Sequence, residues 1–249
     1  MIPCLMTKNR WYSGGKTIRP AGIVVHSSGA NNPELRRYVQ PSREDENYWN
    51  LLAKIGTNQY GNHWNMATQP YAMHAFVGKL SDGTVDAVQT LPFDRFLYGC
   101  GSGAKGSFNN SHIQFEICED TTDSEYTKQA FEQAAKLCAD ICRQFDLDES
   151  TIVSHAEACA LGYASNHADP GHWWSRYGLS MDGLRQRVKE LLDGGGSAWS
   201  KEARLWAQEN GIVRGDGESM AWKRPVTREE LVQMLYRMQS TCQTENKAV

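Results

Sequence analysis

The chain has 249 residues, 40% hydrophobic and 22% charged, which is enough apolar material for one good-sized core and a small satellite. Its formal charge of -3 provides no basic field of the kind that draws a protein onto nucleic acid or anionic lipid, so no nucleic-acid partner is expected. Residues 1–12 lack the apolar stretch of roughly 7 to 15 residues that a secretory signal needs, and no segment reaches the roughly 20 apolar residues of a membrane span, so a soluble chain made in the cytoplasm is expected.

Residues 22–26 read Gly-Ile-Val-Val-His, a short apolar run rich in β-branched side chains that predicts a strand buried on both faces, with His26 at its C-terminal end. Residues 42–55 start polar (Ser42, Arg43, Glu44, Asp45) and continue into Tyr48, Trp49, Leu51 and Leu52, the spacing of a surface helix. Residues 72–79 alternate Met73, Ala75 and Val77 with His74 and Phe76. A Ser81-Asp82-Gly83 turn then connects them to residues 84–89, which predicts a β-hairpin. Ile113, Phe115 and Ile117 alternate with His112, Gln114, Glu116 and Cys118, so a strand here places Glu116 on the face opposite the apolar set.

Phe131, Ala134, Ala135, Cys138, Ile141, Cys142 and Phe145 recur every three or four residues and predict the strongest helix of the chain, after which residues 151–153 re-enter the sheet just before His155. The seven cysteines are odd in number and show no CxxC pair; Cys138 and Cys142 read as small buried hydrophobes in a reduced compartment. A helix over 181–192 closes the domain. The expected organisation is an α/β domain over residues 1–193, with a mixed central β-sheet flanked by helices. A glycine-rich linker over 194–197 and a small, mostly helical C-terminal module over 198–249 follow.

Two histidines at the ends of apolar strands point to the crevice where open α/β sheets bind ligands. A catalytic zinc needs three ligands from His, Cys, Asp or Glu and one open position. His26, His155 and the carboxylate of Asn166-His167-Ala168-Asp169-Pro170-Gly171 are the candidates, the Pro-Gly turn setting the direction of Asp169. Taken singly, each histidine is an ordinary structural or surface residue.

Taken in order, the strand-end His26, the Ser-His-Ile-Gln-Phe-Glu run of 111–116, Ser154-His155 and His167-x-Asp169-Pro170-Gly171 carry more information. The chain resembles the type 2 N-acetylmuramoyl-L-alanine amidases, which include the amidase-type phage lysozymes and the peptidoglycan recognition proteins. The resemblance spans about residues 18–192, and its most specific pieces are Gly99-Cys100-Gly101-Ser102-Gly103-Ala104-Lys105-Gly106, Asn109-Asn110-Ser111-His112-Ile113 and Ala164-Ser165-Asn166-His167-Ala168-Asp169.

That resemblance implies cleavage of the amide bond between N-acetylmuramic acid and L-alanine in bacterial peptidoglycan, with one zinc (Zn2+) per chain held by His26, His155 and Asp169. Such a site would carry a net charge near +1 and lower the pKa of bound water towards roughly 7. The resemblance assigns Glu116 as the general base and His167 as a donor to the oxyanion; the alternative is that His167 replaces Asp169 as third ligand. His74 matches a family position inside the site and reads equally well as a structural hydrogen-bonding residue. His63, His112 and His172 are expected at the surface or behind the ligands. The glycine-rich loop is expected to shape the peptide groove. Tyr98-Gly99 stands where relatives commonly have Trp-His, which puts the stem-peptide preference in doubt.

In the tail, Trp199, Ala203, Leu205 and Trp206 precede Asn210-Gly211-Ile212-Val213-Arg214-Gly215-Asp216-Gly217. Thr227 and Glu230 then form a capping box at the head of a helix carrying Leu231, Met234, Leu235 and Tyr236. This stretch resembles a single S-layer homology module, which implies binding to the secondary polymers of Gram-positive walls, with avidity gained by assembly into homo-oligomers. From its residues alone it is a helical appendage that packs on the catalytic domain or dimerises. Together the two parts imply a phage or prophage endolysin that reaches the cell wall through a membrane lesion. The competing readings are a non-catalytic peptidoglycan-binding protein and a zinc peptidase acting within the stem peptide.

Overall fold

The apolar runs of the sequence pair into one mixed sheet of six strands: β1 (Ile2–Pro3), β2 (Gly22–Asn31), β3 (Ala75–Lys79), β4 (Val85–Gln89), β5 (His112–Glu119) and β6 (Ile152–Ser154), in the order β1-β4-β3-β5-β2-β6. This computed structural model describes residues 1–194, 198–215, 220, 222 and 224–245. Its contacts divide the chain into two units, Met1–Val188 and Lys189–Val249. The sheet belongs to the first and, with its flanking helices, forms the expected α/β architecture.

Every pairing is parallel except the β3–β4 hairpin, which closes through Ser81, Asp82 and a Gly83 at φ 84. The hairpin was expected to alternate, yet residues 75–78 of β3 are all buried. The reason is position: β3 lies between β4 and β5 in a sheet covered on both faces, as parallel sheets are. All eight residues of β5 are buried too, so Glu116 sits in the interior. Register places His26, Glu116 and Phe76 side by side across three strands. On that face Phe76, Val88 and Cys118 pack with Leu35, Tyr38, Leu51 and Ile55.

Three local expectations are corrected. The first helix, α1 (Tyr48–Ile55), starts six residues later than expected, because residues 42–47 fold into turns in which Asp45 accepts a bond from the Asn47 amide (2.8 Å). A short acidic side chain that bonds its own backbone competes with helix formation. His26 is not the end of its strand, since β2 runs on to Asn31. It lies instead where the sheet parts: pairing with β6 stops at Val25 and the register with β5 shifts after Ser27. His155 does not end a strand either but opens helix α3 (His155–Ala160). The Ser154 hydroxyl accepts from the Glu157 amide (3.0 Å), while the Glu157 carboxylate accepts from the Ser154 amide (2.8 Å), forming a capping box that stops β6 and starts the helix in one step.

Helix α2 (Ser124–Phe145) is capped by Asp123, whose carboxylate accepts from the amides of Glu125 and Tyr126, and ends at Asp146 in the left-handed region (φ 54). Its buried stripe includes Cys138 and Cys142; burial pushes the Cys142 thiol up to about 12 and that of Cys138 well above its usual value, so both are unreactive core residues. A four-residue helix, α4 (Gly171–Trp174), and α5 (Met181–Leu192) follow.

The second unit contains α6 (Lys201–Glu209) and α7 (Arg228–Glu245), and α7 opens on the expected capping box: the Thr227 amide donates to Glu230 (2.8 Å) and the Glu230 amide to the Thr227 hydroxyl (3.2 Å). Gly195, Gly196 and Ser197 of the expected linker, and Asp216 and Gly217 of the tail motif, lie outside the described residues. Among the described residues no helix is long and apolar enough to cross a membrane.

His74, just before β3, is wholly buried with both ring nitrogens engaged. Nδ1 accepts from the Gln114 amide (2.9 Å), so Nε2 carries the proton and donates to the Arg95 carbonyl (2.8 Å). It is a structural tie between strands. Burial holds its pKa down at about 4, against an ordinary 6.5. The unfolded chain therefore takes up the proton more readily, and the stability His74 contributes is full above pH 6.5 and lost as pH falls towards 4. Between pH 7 and pH 5 this loss amounts to about 2 kcal/mol. Urea unfolding at the two pH values should show a fall in stability that shrinks by about that much in His74→Gln; an unchanged difference would show that His74 titrates normally.

Candidate metal centre and active site

Three elements deliver three ligand atoms to one point. β2 supplies His26 and the capped start of α3 supplies His155. Asp169 precedes Pro170, the N-cap residue of α4, whose Trp173 and Trp174 are fully buried and anchored by a bond from the Trp173 indole to the Asp120 carbonyl (3.1 Å). His26 Nδ1 lies 3.2 Å from Asp169 Oδ2 and His155 Nδ1 lies 3.4 Å from Oδ1. The donor atoms of the three residues all fall within 4.8 Å of one another, and the three residues are buried.

Other bonds hold this cluster from outside. Asp169 Oδ2 also accepts from the Ser27 amide (3.3 Å). The far nitrogen of each imidazole is occupied: His26 Nε2 faces Gln114 Oε1 at 3.0 Å and His155 Nε2 faces the Ser165 hydroxyl at 3.4 Å. Glu119 accepts from the Ser27 hydroxyl (2.6 Å) and the Gly29 amide (3.0 Å), and His172 Nε2 lies 3.2 Å from the same oxygen, so β2 and α4 are tied together beside the ligands.

Electrostatics mark the site as short of positive charge. Burial raises the pKa of Glu116 to about 8, and the charges that add to this, Asp169 and Glu119, are both negative. Its Oε2 is buried with no hydrogen-bond partner. Burial also works against the charged form of Asp169, but hydrogen bonds from His155 and His26 overcome it and hold the carboxyl well below the usual range. Burial lowers the pKa of His26, the bond to Asp169 notwithstanding. Two imidazoles and an ionised carboxylate, converging next to a second buried carboxyl group with an oxygen that lacks a partner, are a donor set suited to a divalent cation.

Of the remaining candidates, His167 is exposed; its ring stacks on that of His155 (centroids 4.4 Å apart) and its Nδ1 lies 3.2 Å from the Ser165 hydroxyl. His74 is not brought to the cluster. His112 is buried against Phe108 (centroids 3.8 Å), which holds its pKa down at about 4, and His63 accepts from the Asn65 amide (3.2 Å). Sequence reasoning missed Tyr38, whose buried hydroxyl lies by Ser28 with no hydrogen-bond partner; burial, helped by nearby negative groups including Glu116, raises its pKa. A tyrosine in a loop of no clear periodicity carries no sequence signal. Gln114 and Ser165 were also missed, because nothing local distinguishes a polar residue that orients an imidazole from one that faces water.

Residues 16–172 match the family model described as N-acetylmuramoyl-L-alanine amidase. The N-acetylmuramoyl-L-alanine amidase CwlA of Bacillus sp is 31% identical over 72 residues, which cover 29% of this chain and 29% of that relative; the match thus spans less than a third of the curated relative. Among solved structures, the Staphylococcus aureus hydrolase AmiA is 23% identical over 74% of this chain and 78% of its own (TM-score 0.47), and a mutant endolysin from Bacillus subtilis 15% identical over 75% and 97% (TM-score 0.46). The family match covers more than half of the sequence and contains His26, Glu116, His155 and Asp169, so the chain belongs to the N-acetylmuramoyl-L-alanine amidase family.

Proposed function

We propose that this protein is a zinc-dependent amidase that hydrolyses the bond between N-acetylmuramic acid and L-alanine in bacterial peptidoglycan. The observation that carries this reading is the buried convergence of His26, His155 and Asp169 beside the unpartnered Glu116, in a chain of the amidase family. His26, His155 and Asp169 would hold the zinc. Bound there, it supplies a Lewis acid that polarises the scissile carbonyl and makes water a stronger acid.

Glu116 acts as the proton carrier. Its free Oε2 accepts a proton from the attacking water and delivers it to the alanine nitrogen as the C–N bond breaks, so that the amine leaves neutral. A buried carboxyl with a raised pKa suits the delivery half of this task, since it holds a proton that a fully solvated glutamate would release; a cation held by the neighbouring ligands would favour the ionised form that accepts the proton first. His167, exposed beside His155, donates to the carbonyl oxygen as negative charge develops there.

For the second unit we infer a wall-binding role. The resemblance to an S-layer homology module supports it, and this unit offers an open cavity of about 590 Å3 whose lining is apolar (Trp222, Met234) and of mixed charge, with Arg214, Arg224 and Arg237 beside Glu229 and the Arg224-paired Glu230. The endolysin role rests on the resemblance alone. Expression in the cytoplasm should lyse a susceptible host only when a pore-forming membrane protein is co-expressed.

Digestion of purified peptidoglycan with mass analysis of the products tests the central reading. New alanine amino termini without new reducing sugars are expected; reducing ends would indicate a glycosidase, and amino termini deeper in the stem a peptidase.

Metal analysis should find one zinc per chain, lost in Asp169→Ala. Full zinc content in that variant, together with loss in His167→Ala, would make His167 the third ligand. In Glu116→Gln hydrolysis should fall by at least roughly 100-fold while zinc stays bound; near-normal turnover would give the base to another residue.

All five site candidates, His26, Glu116, His155, His167 and Asp169, lie between residues 26 and 169, within the first unit. A chain ending at Leu192 should therefore keep its zinc and its activity on soluble muropeptides but lose efficiency on intact walls. Residues 197–249 fused to a fluorescent reporter should decorate susceptible cells. A truncated enzyme as effective on whole walls as the full chain would rule out the wall-binding role.

A further inference from the structure

The formal charge of -3 hides a local excess of the opposite sign. Residues 1–33 include Lys8, Arg10, Lys16 and Arg19 and neither aspartate nor glutamate. Lys8 is neutralised by Glu44 at 2.8 Å. Arg10 and Lys16 are exposed, and among the described residues neither has a carboxylate partner; each lies against an aromatic ring instead.

The Arg10 guanidinium carbon stands 5.3 Å from the centroid of Trp11, the Trp11 ring meets Phe96 edge to face at 5.5 Å, and Lys16 Nζ stands 3.8 Å from the centroid of Phe96. The four side chains form one row in the order cation, ring, ring, cation. A carboxylate would cancel the charge that it held in place, whereas a ring holds the cation and leaves its charge intact.

Both ends of the row are fixed by the fold. Buried Asn9 accepts from the Trp11 amide (3.0 Å) and donates to the carbonyls of Trp64 (2.9 Å) and Tyr71 (3.1 Å), while the Trp11 indole donates to the Pro70 carbonyl (2.8 Å). At the other end the Phe96 amide donates to the Lys16 carbonyl (3.1 Å) and the Ile18 amide to the Asp94 carbonyl (2.7 Å). Asp94 is exposed, yet it forms an ion pair with neither cation. Lys16 Nζ also donates to Asn110 Oδ1 (2.7 Å), next to the Asn109 that accepts from the amides of Gly99 and Cys100. The row is therefore fastened beside the anchor of the glycine-rich loop, whose Cys100 carbonyl accepts from the Ser165 amide (2.9 Å) close to His155.

We propose that this row is an anchoring surface of the catalytic unit for a polymer with repeating phosphate groups, of the kind attached to bacterial walls. A neutral glycan fits it less well, because both rings are engaged with the cations and with each other and so present charge in place of a stacking platform. A single carboxylate on a stem peptide meets one cation. A chain of recurring phosphates meets both, and arginine and lysine are both phosphate-binding side chains. The choice of a wall polymer rests on the reading given under Proposed function, but binding is measured apart from hydrolysis.

The test uses the full-length chain and purified poly(glycerol phosphate), with binding followed by calorimetry as salt rises from about 50 to about 200 mM. Each cation removed from contact with a flexible polyanion lowers the slope of log K against log salt by about 0.7, the value for single-stranded nucleic acid. Arg10→Gln combined with Lys16→Gln should therefore bind more weakly than the parent at low salt, by a margin that narrows about sevenfold across this range. Lys128→Gln combined with Lys136→Gln removes the same charge from exposed positions on α2 and should bind within twofold of the parent. A parent that does not bind the polymer, or an Arg10/Lys16 variant that binds as the parent does, would overturn the proposal. So would a margin that stays constant with salt, which marks a packing defect, or an equal loss in the two double variants, which makes overall charge the cause. Walls stripped of phosphate by hydrofluoric acid identify the source. The Arg10/Lys16 variant should be retained on them as well as the parent, and a deficit there would assign the row to stem-peptide carboxylates and overturn the phosphate partner. A parent that binds the polymer in this salt-dependent way but releases no alanine amino termini from peptidoglycan would uphold the anchoring surface while defeating the amidase reading.

Discussion

A negative charge buried at the edge of a register shift is the constraint on which this structure depends. Asp169 is ionised in the interior because two imidazoles and the Ser27 amide surround it, and those groups reach it only because β2 leaves regular pairing at Ser27. Burying a carboxylate without such partners costs several kcal/mol, so the sheet, the start of α3 and the anchoring of α4 must all come together for the site to exist. Glu119 reinforces the same junction by gathering the Ser27 hydroxyl, the Gly29 amide and His172 on one oxygen. The geometry of the candidate metal centre and local stability are thus set by the same few bonds.

Glu116 shows the opposite arrangement. It lies directly opposite His26 in the pairing of β2 with β5, on the most buried strand of the sheet, yet one of its oxygens has no partner. Natural cores rarely leave a buried polar atom unsatisfied, and where they do the atom commonly has chemistry to perform. The contrast between a carboxylate held ionised by imidazoles and a neighbouring carboxyl group pushed towards neutrality is the way a protein assigns two acids to two different tasks.

Much of this was legible in the sequence because it depends on short-range rules. The stripe from Phe131 to Phe145 gave a helix in register with its burial, Ser81-Asp82-Gly83 gave the hairpin, and Thr227 with Glu230 gave the cap of α7. Where local rules compete, the reading slipped by a few residues: Asp45 bonds its own backbone and delays α1, and the Ser154–Glu157 box turns the end of a strand into the start of a helix at His155. His74 illustrates a different limit. A histidine inside an apolar strand pattern looks alike whether it faces a ligand or two backbone groups, and only the pairing of Gln114 and Arg95 with its two nitrogens separates the cases.

The sequence by itself determined which residues could do chemistry and in what order they occur, because residue type, spacing and capping are local properties of the chain. It also determined that Glu116 would share a face with His112, Gln114 and Cys118 and not with Ile113, Phe115 and Ile117, since side chains alternate with period two. Only the tertiary structure decided that His26, His155 and Asp169 meet within a few ångströms, because residues more than a hundred positions apart are juxtaposed by parallel pairing of β2 with both β5 and β6. It alone decided the role of the glycines at 99 and 101 as well. A missing side chain carries no record of what fills its space, and here that space is taken by Gln114 and Ser165, whose orientation depends on bonds made across the fold.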